Sequence, residues 1–308
     1  MVAPTETTRA GSAGRATPTG LVNLAPLFAT GSGTPEVIVG LIDGPVAIDH
    51  PDLASERIRA LPGGRADCTV RAGAACVHGT AVAGILNARR GGAAPALCPG
   101  CTLVARPIFA EAPAADRLLA ASPGELAAAV LECIDAGARV LNLSATLGRV
   151  SARAERELQT VLDHACRRGV AVVAAAGNES AVGGSVITRH PWVVPVVGYS
   201  LRGRPLARSN VGSTIGRRGL GASGEDVVSL SATGGTSTCC GTSVAAPFVA
   251  GAFALLLSAF PRAGTPEVRA ALTQSARGSR RTVVPPLLDA GAAYRALLAR
   301  RRGGGDGP

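Results

Sequence analysis

An α/β fold with a mostly parallel central sheet is the architecture this sequence predicts. Short apolar runs alternate with helical patterns along most of the chain, the signature of parallel strands with helices on both faces. Its 308 residues are 47% hydrophobic and only 17% charged, enough to bury the core of one large domain. Chemistry-bearing residues set among small ones fall where strands end, and open α/β sheets bind ligands beyond those ends.

In chain order, residues 1 to 20 are rich in Thr, Ala, Gly and Pro and read as a disordered leader. The domain is expected from 21 to 298, with a flexible Gly/Arg tail from 299 to 308. Val37 to Ile42 is a buried strand with Asp43 at its carboxyl end, and Leu103 to Phe109 is another. Glu125 to Ala136 is a helix that feeds the strand Arg139 to Ser144. Ala152 to Arg168 is a second helix, stopped at Gly169 and followed by the strand Val170 to Ala176. Trp192 to Tyr199 extends the sheet. His78 and Ser243 both open helical patterns, and Pro247 suits a first helical turn. Asp43, Ser144 and Asn178 sit at strand ends, so five candidate site residues converge on one edge.

Composition narrows the partners. The net charge of +10 is carried by Arg alone, since the chain has no Lys. These Arg residues are scattered singly or in pairs, and the one dense run, Arg300-Arg301-Arg302, lies in the terminal tail. Without a basic stripe interleaved with aromatics, nucleic acid is not expected as a partner, and acidic peptides use the charge better. The apolar run Val244 to Phe260 is slightly short for a membrane span and is broken by Pro247, Gly251 and Ser258, so no membrane is expected either. No hydrophobic signal core precedes residue 20, which predicts a cytoplasmic address. Secretion is the alternative if the cysteines are disulfide-bonded. Oligomeric state is not legible.

Four segments carry chemistry. Ser243, in Gly241-Thr242-Ser243-Val244-Ala245-Ala246-Pro247, is the proposed nucleophile; a serine hydroxyl is weak and needs a base. His78 is that base, because among four histidines only it is followed by Gly79-Thr80 and the small, apolar Ala81 to Gly84. Asp43, after Leu41-Ile42, would hold the imidazole tautomer and stabilise the imidazolium. Asn178, closing Ala174-Ala175-Ala176-Gly177-Asn178, is the candidate oxyanion donor, with the Ser243 N–H as its partner. Taken singly, these are a helix N-cap, a strand-end turn and an Asn-Glu turn; their joint occurrence in this order favours catalysis.

With these four segments the chain resembles the subtilisin-like serine proteases, whose triad runs Asp, His, Ser along the sequence. The resemblance covers roughly Leu21 to Leu298. It implies a three-layer α/β/α fold and peptide hydrolysis through an acyl-enzyme. It also implies a substrate cleft bordered by Ser144, Ala145, Thr146, Ala176, Gly177, Cys239 and Cys240. The family usually has Gly soon after this serine; here Ala145-Thr146 intervene, which implies a narrowed specificity pocket. Val244 follows the nucleophile where many relatives carry Met. Gly44-Pro45-Val46 and Pro107-Ile108-Phe109 resemble the cyanobactin-maturation proteases, implying leader removal from a ribosomally made precursor peptide. A general degradative subtilase and a non-catalytic peptide-binding protein are the alternatives.

Asp52, in His50-Pro51-Asp52-Leu53, matches a family calcium ligand, whereas His50 matches a structural turn of the family. The loop Asn87 to Gly91 brings Arg89 and Arg90, which repel a cation, and calcium needs six or more oxygens. No cofactor is expected. Of the eight cysteines, Cys68/Cys76 and Cys98/Cys101 are disulfide candidates, and Cys133 and Cys166 lie in consecutive helices. A zinc site built from 68, 76, 98 and 101 is the competing reading.

Overall fold

The computed structural model describes residues 16–61, 68–109, 121–144 and 151–303. Two helical turns, α1 (Pro18–Leu21) and α2 (Ala25–Phe28), lead into β1 (Ile38–Asp43), followed by β2 (Ile58–Ala60). Then come α3 (Ala74–Asn87), β3 (Thr102–Pro107), α4 (Pro123–Asp135), β4 (Val140–Leu143), α5 (Ala152–Arg167) and β5 (Ala171–Ala175). Next are α6 (Val186–Arg189), β6 (Val194–Tyr199), α7 (Ser213–Arg218) and β7 (Leu220–Ser223). A hairpin of β8 (Val227–Leu230) and β9 (Thr236–Cys239) delivers the chain to α8 (Thr242–Ala259), with α9 (Thr265–Gln274) and α10 (Ala290–Gly303) last.

Seven strands form one sheet in the order β2-β3-β1-β4-β5-β6-β7, and every pairing in it is parallel. Alternation along β1 explains the layers: Val39 and Leu41 join the core shared with α3 and α8, while Ile42 joins the core under α4 and α5. The result is the expected three-layer α/β/α arrangement. Because the strands are parallel, their carboxyl ends share one rim, with Asp43 on β1, Ser144 after β4 and Asn178 after β5.

Helix α8 is the spine of the first core. Thr242 through Leu257 are all buried, so the helix has no polar face and cannot be a surface helix. Its 18 residues and mean hydropathy of 1.8 are enough to cross a membrane by length and composition, more than the sequence suggested, but 89% of that span is buried within the domain. On the opposite face, Ser122 caps α4 by accepting from the Glu125 N–H and Ser151 caps α5 by accepting from the Ala154 N–H. Arg106, buried on β3, ties the sheet to α4 through Glu125 at 2.8 Å and Glu132 at 2.6 Å.

Some expectations shift. Helix α3 begins at Ala74, so His78 stands in its second turn rather than opening it. Helix α8 begins at Thr242, which puts Pro247 in the second turn, where its ring leaves the Ser243 carbonyl without the usual N–H partner. At the ends, α1 extends order back to Pro18, whose carbonyl accepts from the Ser223 hydroxyl at 2.7 Å. Strong helix formers carry α10 through Arg300-Arg301-Arg302, where a flexible tail was expected.

Candidate active site

Asp43 is held at the end of a central strand and is fully buried. Its Oδ1 accepts from the Gly44 N–H at 2.6 Å and from His78 Nδ1 at 2.6 Å. Its Oδ2 is buried without a partner among the described residues, so its hydrogen bonding is concentrated on the oxygen facing the imidazole. This contact depends on missing side chains. A Cβ at Gly44 would lie 1.9 Å from the Ala75 carbonyl oxygen, and one at Gly79 would lie 2.3 Å from that of Gly44. Backbone therefore packs on backbone, and α3 approaches β1 closely enough for the pair to form. Thr80 secures the approach by accepting from the Ala47 N–H at 2.9 Å.

The donation by Nδ1 leaves His78 Nε2 as the free ring nitrogen, and the side chain is a quarter exposed, at 25%. Burial opposes the imidazolium, but the Asp43 charge and its hydrogen bond outweigh that, and the pKa of His78 lies above its ordinary value. Ser243 occupies the first turn of α8, a helix packed against α3. Among the described residues, no hydrogen bond joins its hydroxyl to His78. Ser243 itself is 9% exposed.

Asn178 is locked beside the segment that carries Ser243. Its Oδ1 accepts from the Thr242 N–H at 2.9 Å, and the Gly177 N–H donates to the Thr242 hydroxyl at 3.2 Å. The Asn178 Nδ2 group and the Ser243 N–H have no partner among the described residues, two donors at one place suited to a developing oxyanion. Gly241, at φ +130°, makes the turn that brings these segments together. Thr242 was missed as a positioning residue, although the Gly-Thr-Ser spelling holds the signal. Asn142, next but one to Ser144 in sequence, is buried on β4 and its Nδ2 donates to the Ser144 hydroxyl at 3.0 Å. Ala176 and Gly177 are buried beside Asn178, Cys239 ends β9 half-buried, and Cys240 is exposed with Arg208 at 3.4 Å. Ala145 and Thr146, and with them the narrowed pocket, lie outside the described residues.

His50 fits its structural role: Nε2 lies 3.0 Å from the Gly235 carbonyl, and Nδ1 accepts from the Asp52 N–H at 3.1 Å. At the position that matches a family calcium ligand, Asp52 is exposed, and the nearby Arg89 pairs with Glu56. No group of three or more His, Cys, Asp or Glu assembles among the described residues. The four-cysteine zinc reading is overturned. Cys68 and Cys76 form a disulfide beside Ala47 and Ala232, whereas Cys98 and Cys101 are free thiols in the main core. Cys133 and Cys166 do not pair even though α4 packs on α5. Cys133 is buried against β1, its thiol pushed up to about 12 by that burial, and Cys166 is exposed.

The arrangement can be set beside known proteins. Residues 34–292 match the family model "Subtilase family". Fervidolysin of Fervidobacterium pennivorans is 27% identical over 278 residues, covering 81% of this chain and 38% of its own length. The thermophilic serine proteinase of Bacillus sp. (strain AK1) is 30% identical over 244 residues, covering 77% of this chain and 56% of its own. The chain thus spans between 38% and 56% of these two curated relatives. Among solved structures, a mutant of the protease domain of PatA superposes with a TM-score of 0.78 at 30% identity, covering 87% of this chain and 98% of that one. The prenylagaramide maturation protease PagA gives a TM-score of 0.78 at 27% identity, covering 89% and 98%. These neighbours are the cyanobactin-maturation branch that the loop after Asp43 resembles. With its motifs gathered on one rim and a family model matched over most of its length, this chain belongs to the subtilase family.

Proposed function

We propose that the protein is a serine endopeptidase that matures a ribosomally made precursor peptide by removing its leader. The observation that carries the protease reading is the 2.6 Å contact between His78 Nδ1 and the buried Asp43, with Ser243, in the first turn of α8, held beside Asn178 through the adjoining Thr242. Asp43 fixes the tautomer that leaves Nε2 free to take the Ser243 proton as the hydroxyl attacks the scissile carbonyl. The oxyanion is met by Asn178 Nδ2 and the Ser243 N–H; the imidazolium then protonates the leaving amine. Water, deprotonated by the same imidazole, releases the acyl group and restores the hydroxyl.

The maturation reading is supported by the likeness to PatA and PagA over nearly their whole protease domains. A peptide is the partner in this reading, and the Cys68–Cys76 disulfide favours an oxidising compartment over the cytoplasm. The test has two stages. A fluorophosphonate should label the protein and not its Ser243→Ala variant; equal labelling of both removes Ser243 from its role. One discrete cut in a leader-bearing precursor, with casein left intact, supports maturation, whereas broad casein digestion supports a degradative subtilase.

A further inference from the structure

At the amino ends of the strands, opposite the catalytic rim, a cavity of about 540 Å³ opens between α7, α9 and the segment before β6. Four guanidinium groups line it, from Arg217, Arg218, Arg269 and Arg280, together with Trp192, and no acidic residue does. None of the four makes an ion pair among the described residues. Arg280 is spent on carbonyls of Thr273, Arg217 and Gly219. Arg218 donates Nη2 to the Arg189 carbonyl and Arg269 donates Nη2 to that of Pro191, both at 2.7 Å. The Nε atoms of Arg218 and Arg269 are buried with no partner among the described residues. Burial, reinforced by charged Arg neighbours, draws the pKa of Arg218 and Arg269 below the usual guanidinium range. Guanidinium groups stay charged even so. A half-buried cluster of like charges is costly unless an anion joins it.

We propose that this cavity docks the carboxylate side chains of an acidic peptide segment. Planar guanidinium forks match carboxylates two bonds at a time, and the indole of Trp192, with Arg269 stacked 5.1 Å from its centroid, offers an apolar floor to a peptide. A nucleic acid would require a stripe and several stacking rings; here one aromatic serves a closed cluster. As a substrate exosite, the cavity rests on the protease reading; as a binding site, it does not. Strand β6 separates the two places, its Gly198 lying near the Gly241 carbonyl and Trp192 preceding its other end. Its six residues span roughly 20 Å, so a substrate would need about ten residues between acidic segment and scissile bond to pass around the surface.

Trp192 is the only tryptophan and reports from inside the cavity. In Ser243→Ala protein, titration with capped hexaglutamate should give a saturable change in its emission, or in the anisotropy of the fluorescein-labelled peptide, weakening as salt rises. Arg217→Gln/Arg269→Gln should bind at least tenfold more weakly. Arg217→Gln alone, at an exposed position, should still lose affinity if the double variant does not fold. Two flat titrations overturn the proposal, as does equal affinity in the folded variants. Capped hexaglutamine, an oligo-uridylate of equal length, or inorganic phosphate binding as tightly as hexaglutamate also overturns it. For cleavage by the active protein, a hexaglutamate tag on a cleavable peptide should lower KM at least fivefold with kcat unchanged. That gain should vanish when the spacer is much shorter than about ten residues. Binding without fluorophosphonate labelling sinks the protease reading alone; labelling without binding sinks the docking site alone.

Discussion

An imidazole works as a base only above its own ionisation midpoint, and Asp43 raises that midpoint for His78. The acid limb of kcat/KM against pH is therefore expected above the ordinary histidine value, and Asp43→Asn should move it down while cutting the rate. The sign for stability is the reverse. The His78–Asp43 pair stabilises the fold fully below the unfolded histidine pKa, and that contribution is lost as pH rises through the folded one. Asn178→Ala should cost about 3 kcal/mol of transition-state stabilisation, seen in kcat with KM little changed; a change in KM alone would remove it from the oxyanion site. Val244, next to the proposed nucleophile Ser243, offers no thioether, so peroxide should leave fluorophosphonate labelling intact. The residue identities were legible because each stands in a distinctive spelling. The locks between them were not: Thr80 to Ala47, Thr242 to Asn178 and Asn142 to Ser144 join segments 33 or more residues apart, or side chains on a strand end, which no local pattern encodes.

Helices and strands were legible where burial and periodicity agree. Strands β1, β4, β5 and β6 are near-continuous apolar runs, as parallel strands covered on both faces must be. The edge strands β2 and β7 and the β8–β9 hairpin escaped notice because they are three or four residues long and carry Arg, Gly, Ser or Thr. The start of α3 is not legible because its first turn, Ala74-Ala75-Cys76-Val77, is itself part of a cysteine loop. That loop is closed by Cys68–Cys76, eight residues apart. Opening it should cost about 2.5 kcal/mol by loop-entropy reasoning, measurable as a lower Tm in reducing agent, with wild type converging on Cys68→Ser/Cys76→Ser. An unchanged Tm would mean that the disulfide does not constrain the unfolded chain.

Over the whole molecule, the near-N-terminal and near-C-terminal segments are clasped together. Asp289 accepts from Asn23 Nδ2 at 2.6 Å and from the Ala292 N–H at 2.9 Å, and the Ala290 N–H donates to the Val22 carbonyl at 3.0 Å. Asp289→Ala should lower unfolding stability by about 2 kcal/mol, read in urea, and leave labelling of Ser243 unchanged under native conditions. The order of the motifs along the chain announced the family. Their convergence could be inferred only from the rule that parallel strands finish together. The close seating of α3 on β1 through Gly44 and Gly79 gives that geometry a practical use. A single methyl group introduced by Gly79→Ala would act as a wedge, lifting the histidine away from its acid while sparing the hydroxyl and the amide donors. Such a protein would hold an intact peptide in the groove with its alcohol still present, a trap for watching recognition before any bond is broken.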